Sequence, residues 1–207
     1  MTAVQLQVMF LFATESEALG WPVREIAAKA GVSKSKAAEV RKQLEKYQIK
    51  APSAKDQAWP PREMQQRLLS GYSEILRPKL LLGRFRSPEA RPEDFVSRLP
   101  GDLASKGTRF SLTGGPAAEL LQHFYRGRET PIFLSDWSPA VQKRLRLLPD
   151  RQGPVIVLRA FGDPVFWREI GHLSVAHPLL IYSELMSSED PRAHEAAEEL
   201  RREFLPS

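Results

Sequence analysis

Residues 3–13 are almost continuously apolar, with Val4, Leu6, Val8, Met9, Phe10, Leu11 and Phe12, which predicts a buried helix. A polar turn, Glu15–Gly20, follows. Trp21-Pro22 opens a second helix, with proline placed early, where its missing N–H costs little. Val23, Ile26, Ala27 and Ala30 recur at the 3/4 spacing of one buried face, and Gly31 is the expected C-terminal cap. Ser33 is a good N-cap for a third helix reaching about Tyr47, with Ala37, Val40 and Leu44 on its apolar side. Lys50 to Pro61 is polar and holds Pro52, Pro60 and Pro61, so it reads as an irregular linker.

Beyond the linker, Met64, Leu68, Tyr72 and Ile75/Leu76 mark a helix over Arg62–Arg77, with Pro78 expected to stop or kink it. Strands are then expected at Leu80–Phe85, Arg109–Leu112, Pro131–Leu134 and Pro154–Phe161. Helices are expected at Pro92–Ser105 (broken near Pro100-Gly101), Pro116–Tyr125, Pro139–Leu147, Leu179–Met186 and Pro191–Phe204. Val165–Ser174 fits either state. Strands interleaved with helices predict an α/β or α+β second part behind an N-terminal helix-turn-helix, winged or not. In the last helix, Ala196, Ala197, Leu200 and Phe204 form an apolar stripe expected to pack on its own domain, and Glu198 faces Arg202 at i,i+4.

The segment Val23–Val40 meets the requirements of a helix-turn-helix position by position. Ala27 lets the two helices approach, Gly31 makes the turn and Val32 plugs the core between them. That leaves Ser33, Lys34, Ser35, Lys36, Arg41 and Lys42 as the candidate DNA-binding residues, since the start of a recognition helix enters the major groove. Lys and Arg would neutralise phosphates; Ser and Lys can also meet base edges. An ordinary three-helix module used for protein contact has the same outline. A wing would need a hairpin after Tyr47. Ile49-Lys50-Ala51 could start one, but Pro52 makes a return strand hard to place.

Charge sharpens this picture. The 207 residues carry a formal net charge of +5. Residues 1–86 hold 15 Lys/Arg and 8 Asp/Glu, a net of +7, while residues 87–207 hold 15 and 17, a net of −2. The basic character therefore belongs to the part with the helix-turn-helix. The absence of cysteine removes disulfides, thiol nucleophiles and Cys-based metal sites, and fits a cytoplasmic protein. The apolar run near the N-terminus is too short to span a bilayer, so no membrane partner is expected.

Enzyme signals are weak. His123, His172, His177 and His194 lack metal-ligand spacing, so no metal is expected. Thr113-Gly114-Gly115-Pro116 sits between a strand and a helix, where a phosphate can be cradled, but it is neither a Walker A motif nor a dinucleotide fingerprint. A tight strand-to-helix connection explains it as well. No Gly-x-Ser-x-Gly is present. No catalytic residue, cofactor or enzymatic activity is expected.

Four segments in order resemble the AbiEi-type antitoxins, the transcriptional regulators of type IV toxin–antitoxin systems. They are Arg24-Glu-Ile-Ala…Gly31-Val-Ser33; REMQQRLLSGYSEILRPKLLLGRFR over 62–86; Phe110-Ser-Leu-Thr-Gly-Gly-Pro-Ala-Ala118; and PLLIYSELMSSEDPRAHEAAEEL over 178–200. Where related sequences show Asp-Leu after the aromatic residue of the last segment, this chain has Ser183-Glu184-Leu185. The resemblance implies a helix-turn-helix DNA-binding domain over 1–55, a linker and connecting helix over 56–86, and an α/β antitoxin-like domain over 87–207. It further implies binding to double-stranded promoter or operator DNA, autoregulation, and neutralisation of a nucleotidyltransferase-type toxin without a required stable complex. A homodimer or cooperative oligomer would suit a symmetric operator. The alternatives are an enzyme acting on nucleic acid or nucleotides with a helix-turn-helix for targeting, or a protein-interaction adaptor.

Overall fold

The apolar first segment forms α1 (Ala3–Thr14), started by a capping box in which the Gln5 N–H donates to Thr2 Oγ1 at 3.3 Å and the Thr2 N–H to Gln5 Oε1 at 2.7 Å. The computed structural model describes residues 1–46, 60, 62–104 and 107–205. Leu6, Val8, Met9, Phe10, Leu11, Phe12 and Ala13 are all buried, so α1 is covered on every side and is a central element, not an amphipathic one. It packs against α2 (Val23–Ala30), α3 (Lys34–Lys46) and α4 (Arg62–Gly71). The expected polar turn is a short 3₁₀ helix, Ser16–Gly20.

The helix after the linker does not stop at Pro78. α4 passes through a π-helical turn, Tyr72–Leu76, into α5 (Arg77–Leu80), which holds Pro78 in its first turn. The Arg77 N–H donates to the Tyr72 carbonyl, five residues back. Widening the turn just before the proline reroutes the backbone bonds, so the missing donor does not end the helix. α6 (Pro92–Ala104) likewise runs through Pro100-Gly101 unbroken, held by buried Phe95, Leu99 and Leu103.

The rest is built on one mixed sheet, which makes the fold α+β. Its strands are β1 (Leu81–Arg86), β2 (Phe110–Leu112), β3 (Thr130–Leu134), β4 (Leu148–Pro149), β5 (Val155–Arg159), β6 (Arg168–Ile170) and β7 (Leu173–Val175), in spatial order β4-β1-β5-β3-β2-β7-β6. β3 and β5 pair in parallel at the centre, from Thr130 opposite Val155 to Leu134 opposite Arg159. All of β3 and Val155–Leu158 of β5 are buried, as continuous apolar strands covered on both faces must be. The ambiguous Val165–Ser174 holds the edge hairpin β6–β7 except its last residue, Val175, and Gly171 at φ +62° makes the turn.

Three helices differ from expectation in their bounds or pairing. α7 (Gly114–Gln122) begins two residues before Pro116 and stops where His123 takes a left-handed φ of 56°. α8 (Pro139–Arg144) is shorter than expected, because Arg146 at φ 52° turns the chain towards β4. α9 (Pro178–Met186) and α10 (Pro191–Phe204) pack on each other and on α7. Glu198 pairs with Arg201 at 2.9 Å, not with Arg202, because it also accepts from the Tyr182 hydroxyl at 3.1 Å; Arg202 pairs with Glu199.

Aromatic contacts join the N-terminal helices to the sheet. The Phe10 ring of α1 lies 5.9 Å from Tyr72 and 6.1 Å from Phe161, and Phe161 lies 6.3 Å from Phe133 of β3. Among the described residues, one buried cluster runs from α1 to α10.

Candidate nucleic-acid interface

The two helices of the predicted motif are α2 and α3. Gly31 takes φ +67°, which lets its own N–H reach the Ala28 carbonyl at 3.3 Å and the Val32 N–H reach Ala27 at 2.9 Å. Such a left-handed glycine closes the first helix and redirects the chain. Ser33 then caps α3, its Oγ accepting from the Lys36 N–H at 3.4 Å. Ala37 and Val40 are buried and dock α3 on the other helices. The Leu44 side chain, the expected end of the helix at Tyr47 and the wing candidate Ile49-Lys50-Ala51 lie outside the described residues.

This geometry puts Ser33, Lys34, Ser35 and Lys36 together and exposed at the start of α3, with Lys42 exposed further along it. Lys36 makes a surface ion pair with Glu39 at 2.8 Å, and Ser33 shares a 3.1 Å hydrogen bond with Ser35. Arg41 is placed differently. It is half-buried, and its Nη1 donates to the Trp21 carbonyl at 3.0 Å, holding α3 against the entry to α2. The exposed residues are therefore available to a partner, while Arg41 also serves the module's own packing.

The back of the turn rests on the sheet part. Gly31 meets the loop at Gly162, where a Cβ on Gly162 (φ +52°) would lie 2.0 Å from the Lys29 carbonyl. Only glycine allows that approach. Lys29 Nζ reaches Asp163 at 2.8 Å beside it, and that hydrogen bond raises the lysine pKa.

A second polar region lies under α9. Glu184 is buried and accepts from the Tyr72 hydroxyl at 2.6 Å and from Arg77 Nε and Nη2 at 2.9 and 2.8 Å. Burial, then the Glu184 charge, pushes the Tyr72 pKa up, so the phenol stays a donor. Arg77 and Glu184 line a cavity of about 580 Å³ together with Arg84, Arg126, Arg128, Glu129, Glu189 and Asp190, and Tyr72 supports Glu184 from behind it. Arg84 pairs with Glu129, and Tyr125 donates to Asp190 at 2.9 Å. Four arginines thus face four carboxylates, so the cavity is charge-matched. Gly114 and Gly115 sit on its wall for packing: a Cβ on Gly115 would lie 1.9 Å from the Arg126 carbonyl. The segments that resemble the family hold its members, but no spacing in the sequence brings them together, because they are spread from 72 to 190. The π turn that aims Tyr72 and Arg77 at one carboxylate has no pattern of its own.

Two of the histidines, His177 and His194, are held locally. His177 caps α9, its Nδ1 accepting from the Leu179 N–H at 3.1 Å, and burial lowers its pKa to about 4. His194 Nε2 donates to the Ser188 carbonyl at 2.7 Å. Among the described residues, no group of three His, Asp or Glu is placed to hold a metal, and no helix is long and apolar enough to cross a membrane.

Residues 58–205 match the family model described as "Transcriptional regulator, AbiEi antitoxin, Type IV TA system". The match covers the connecting helix, the sheet and its helices, and leaves the helix-turn-helix outside it. Neither a curated protein nor a solved structure matches the chain.

Proposed function

The chain belongs to the AbiEi antitoxin family of type IV toxin–antitoxin transcriptional regulators, and from that premise we propose that it binds double-stranded operator DNA through the start of α3. The observation that carries this reading is the exposed Ser33–Lys36 turn, placed by Gly31 and docked through Ala37 and Val40. A helix N-terminus presented in this way suits the major groove. Lys34, Lys36 and Lys42 supply phosphate contacts; Ser33 and Ser35 lie near base edges. Bound at its own promoter, the protein autoregulates, and a symmetric operator recruits two copies.

The α+β part carries the antitoxin activity against a nucleotidyltransferase-type toxin, without a stable complex between the two proteins. This reading rests on family membership and not on a catalytic constellation.

The direct test is a gel shift with the DNA upstream of the chain's own gene. Lys34→Ala with Lys36→Ala is expected to weaken binding and to lower the salt slope by about 2, close to one for each phosphate no longer neutralised. Unchanged affinity and slope would overturn the site. Co-expression of the full chain, and of its Lys34→Ala/Lys36→Ala variant, with the toxin encoded beside the gene tests the antitoxin half: relief of toxicity by both supports it and continued growth arrest opposes it.

A further inference from the structure

The β6–β7 edge and Thr108-Arg109 before β2 form a groove in which two guanidinium groups lie over aromatic rings. Arg109 sits 3.8 Å over the Phe166 ring, and Arg168 sits 4.4 Å over Trp167, with Phe204 further off at 6.0 Å. The Trp167 ring in turn meets His177 edge-on at 5.6 Å. The groove encloses about 460 Å³ beside Arg109, Trp167, Arg168 and His172. It shares Arg109, Phe166 and Trp167 with a smaller hollow of about 300 Å³ that reaches Thr14 at the end of α1.

Two features set this groove apart from the cavity below α9. First, its arginines are not ion-paired: among the described residues neither Arg109 nor Arg168 is in an ion pair, although Glu169 also lines the groove; of the carboxylates in the adjoining hollow, Glu15 and Asp163, the latter is already held by Lys29. Second, both arginines are exposed, so their guanidinium groups are open to a ligand. A flat cationic face beside an aromatic one suits an unpaired base, and the N–H edges suit the phosphates flanking it. Bases in a duplex have both faces covered by their neighbours and cannot use such planes.

We propose that the Arg109–Phe166–Trp167–Arg168 groove binds single-stranded nucleic acid, with bases stacked on the arginine and aromatic planes and phosphates held by the two guanidinium edges. The site is separate from the duplex-binding face of α3 and does not depend on it.

The test uses the full chain and two fluorescein-labelled 12-mers of one mixed sequence, one RNA and one DNA, read by fluorescence anisotropy at low salt. Binding of either strand is expected, with Trp167→Ala plus Arg168→Ala weakening it about tenfold or more. Arg168→Glu, an exposed change that leaves the fold intact, is expected to do the same. Trp167→Phe should retain most of the affinity, because it keeps a ring. Lys34→Ala with Lys36→Ala should leave single-strand binding unchanged while weakening the duplex gel shift. The proposal is overturned if neither strand binds the wild-type chain, or if Arg168→Glu binds as tightly as wild type. Equal loss in the Lys34/Lys36 variant would also overturn it, because the strand would then sit on α3.

Discussion

Glu184 is the residue on which most of the buried polar chemistry converges. It accepts from Tyr72 and from two nitrogens of Arg77 while almost fully withdrawn from water. Replacing Glu184 with Gln leaves the Arg77 charge partly buried without its counter-charge, a loss of about 3 kcal/mol. The Tm is then expected to fall by roughly 6–12 °C for a chain of this size, measured by calorimetry. Tyr72→Phe removes one hydrogen bond but leaves the ion pair, so its cost should be nearer 1 kcal/mol. Equal losses in the two variants would contradict this ordering. His177 gives a pH prediction. Its pKa in the folded chain, about 4, lies below the ordinary value of 6.5, so the unfolded chain binds the extra proton first. The stabilisation from keeping it neutral is present above about pH 6.5 and is lost as pH falls towards 4. His177→Asn keeps a capping acceptor without that titration. Its stability should fall less steeply than wild type between those pH values in urea melts.

Two glycines with similar positive φ differ in what surrounds them. Gly162 and Gly171 have φ of +52° and +62°, yet a Cβ on Gly162 would strike the Lys29 carbonyl at 2.0 Å, while one on Gly171 meets nothing within 4 Å. Gly171→Ala should therefore cost about 1–2 kcal/mol, the ordinary penalty of the left-handed region. Gly162→Ala must also push the α2–α3 turn off the sheet part. It should lower the Tm by more than Gly171→Ala and weaken the duplex gel shift, while Gly171→Ala leaves that shift unchanged. Context decides the prolines in the same way. Pro78 reads as a stop or kink and Pro100-Gly101 as a break, yet both helices continue, one by widening to a π turn and one on its buried stripe.

Across the whole molecule, α1 is the shared element. Its side chains pack against α2, α3, α4 and the Asp163–Val165 turn, and Phe10 touches rings from both the connecting helix and the sheet loop. Phe10→Ala should cost about 3–5 kcal/mol. Because the buried cluster is continuous, one cooperative transition is expected in that variant as in wild type. Two separated transitions by circular dichroism and Trp fluorescence would show that the N-terminal helices melt on their own. The charge asymmetry also acts at this scale: the +7 part carries the proposed duplex site, so operator affinity should fall steeply with salt.

The helix-turn-helix was legible because every signal in it is local. Glycine at the turn, serine at the cap and the 3/4 spacing of Ala37 and Val40 are enforced within two turns of helix, whatever lies beyond. The central strands were legible for a related reason: a strand buried on both faces is almost wholly apolar. The sequence could also place Arg41 on α3, but not show that it would turn back to the Trp21 carbonyl. Tertiary structure alone decided the sheet order, the Tyr72–Arg77–Glu184 cluster, the Gly31–Gly162 contact and the stacking of Arg109 and Arg168 on aromatic rings. Most of these join residues far apart in the chain. Their energies come from burial, paired charge and close approach, which exist only once the chain has folded back on itself.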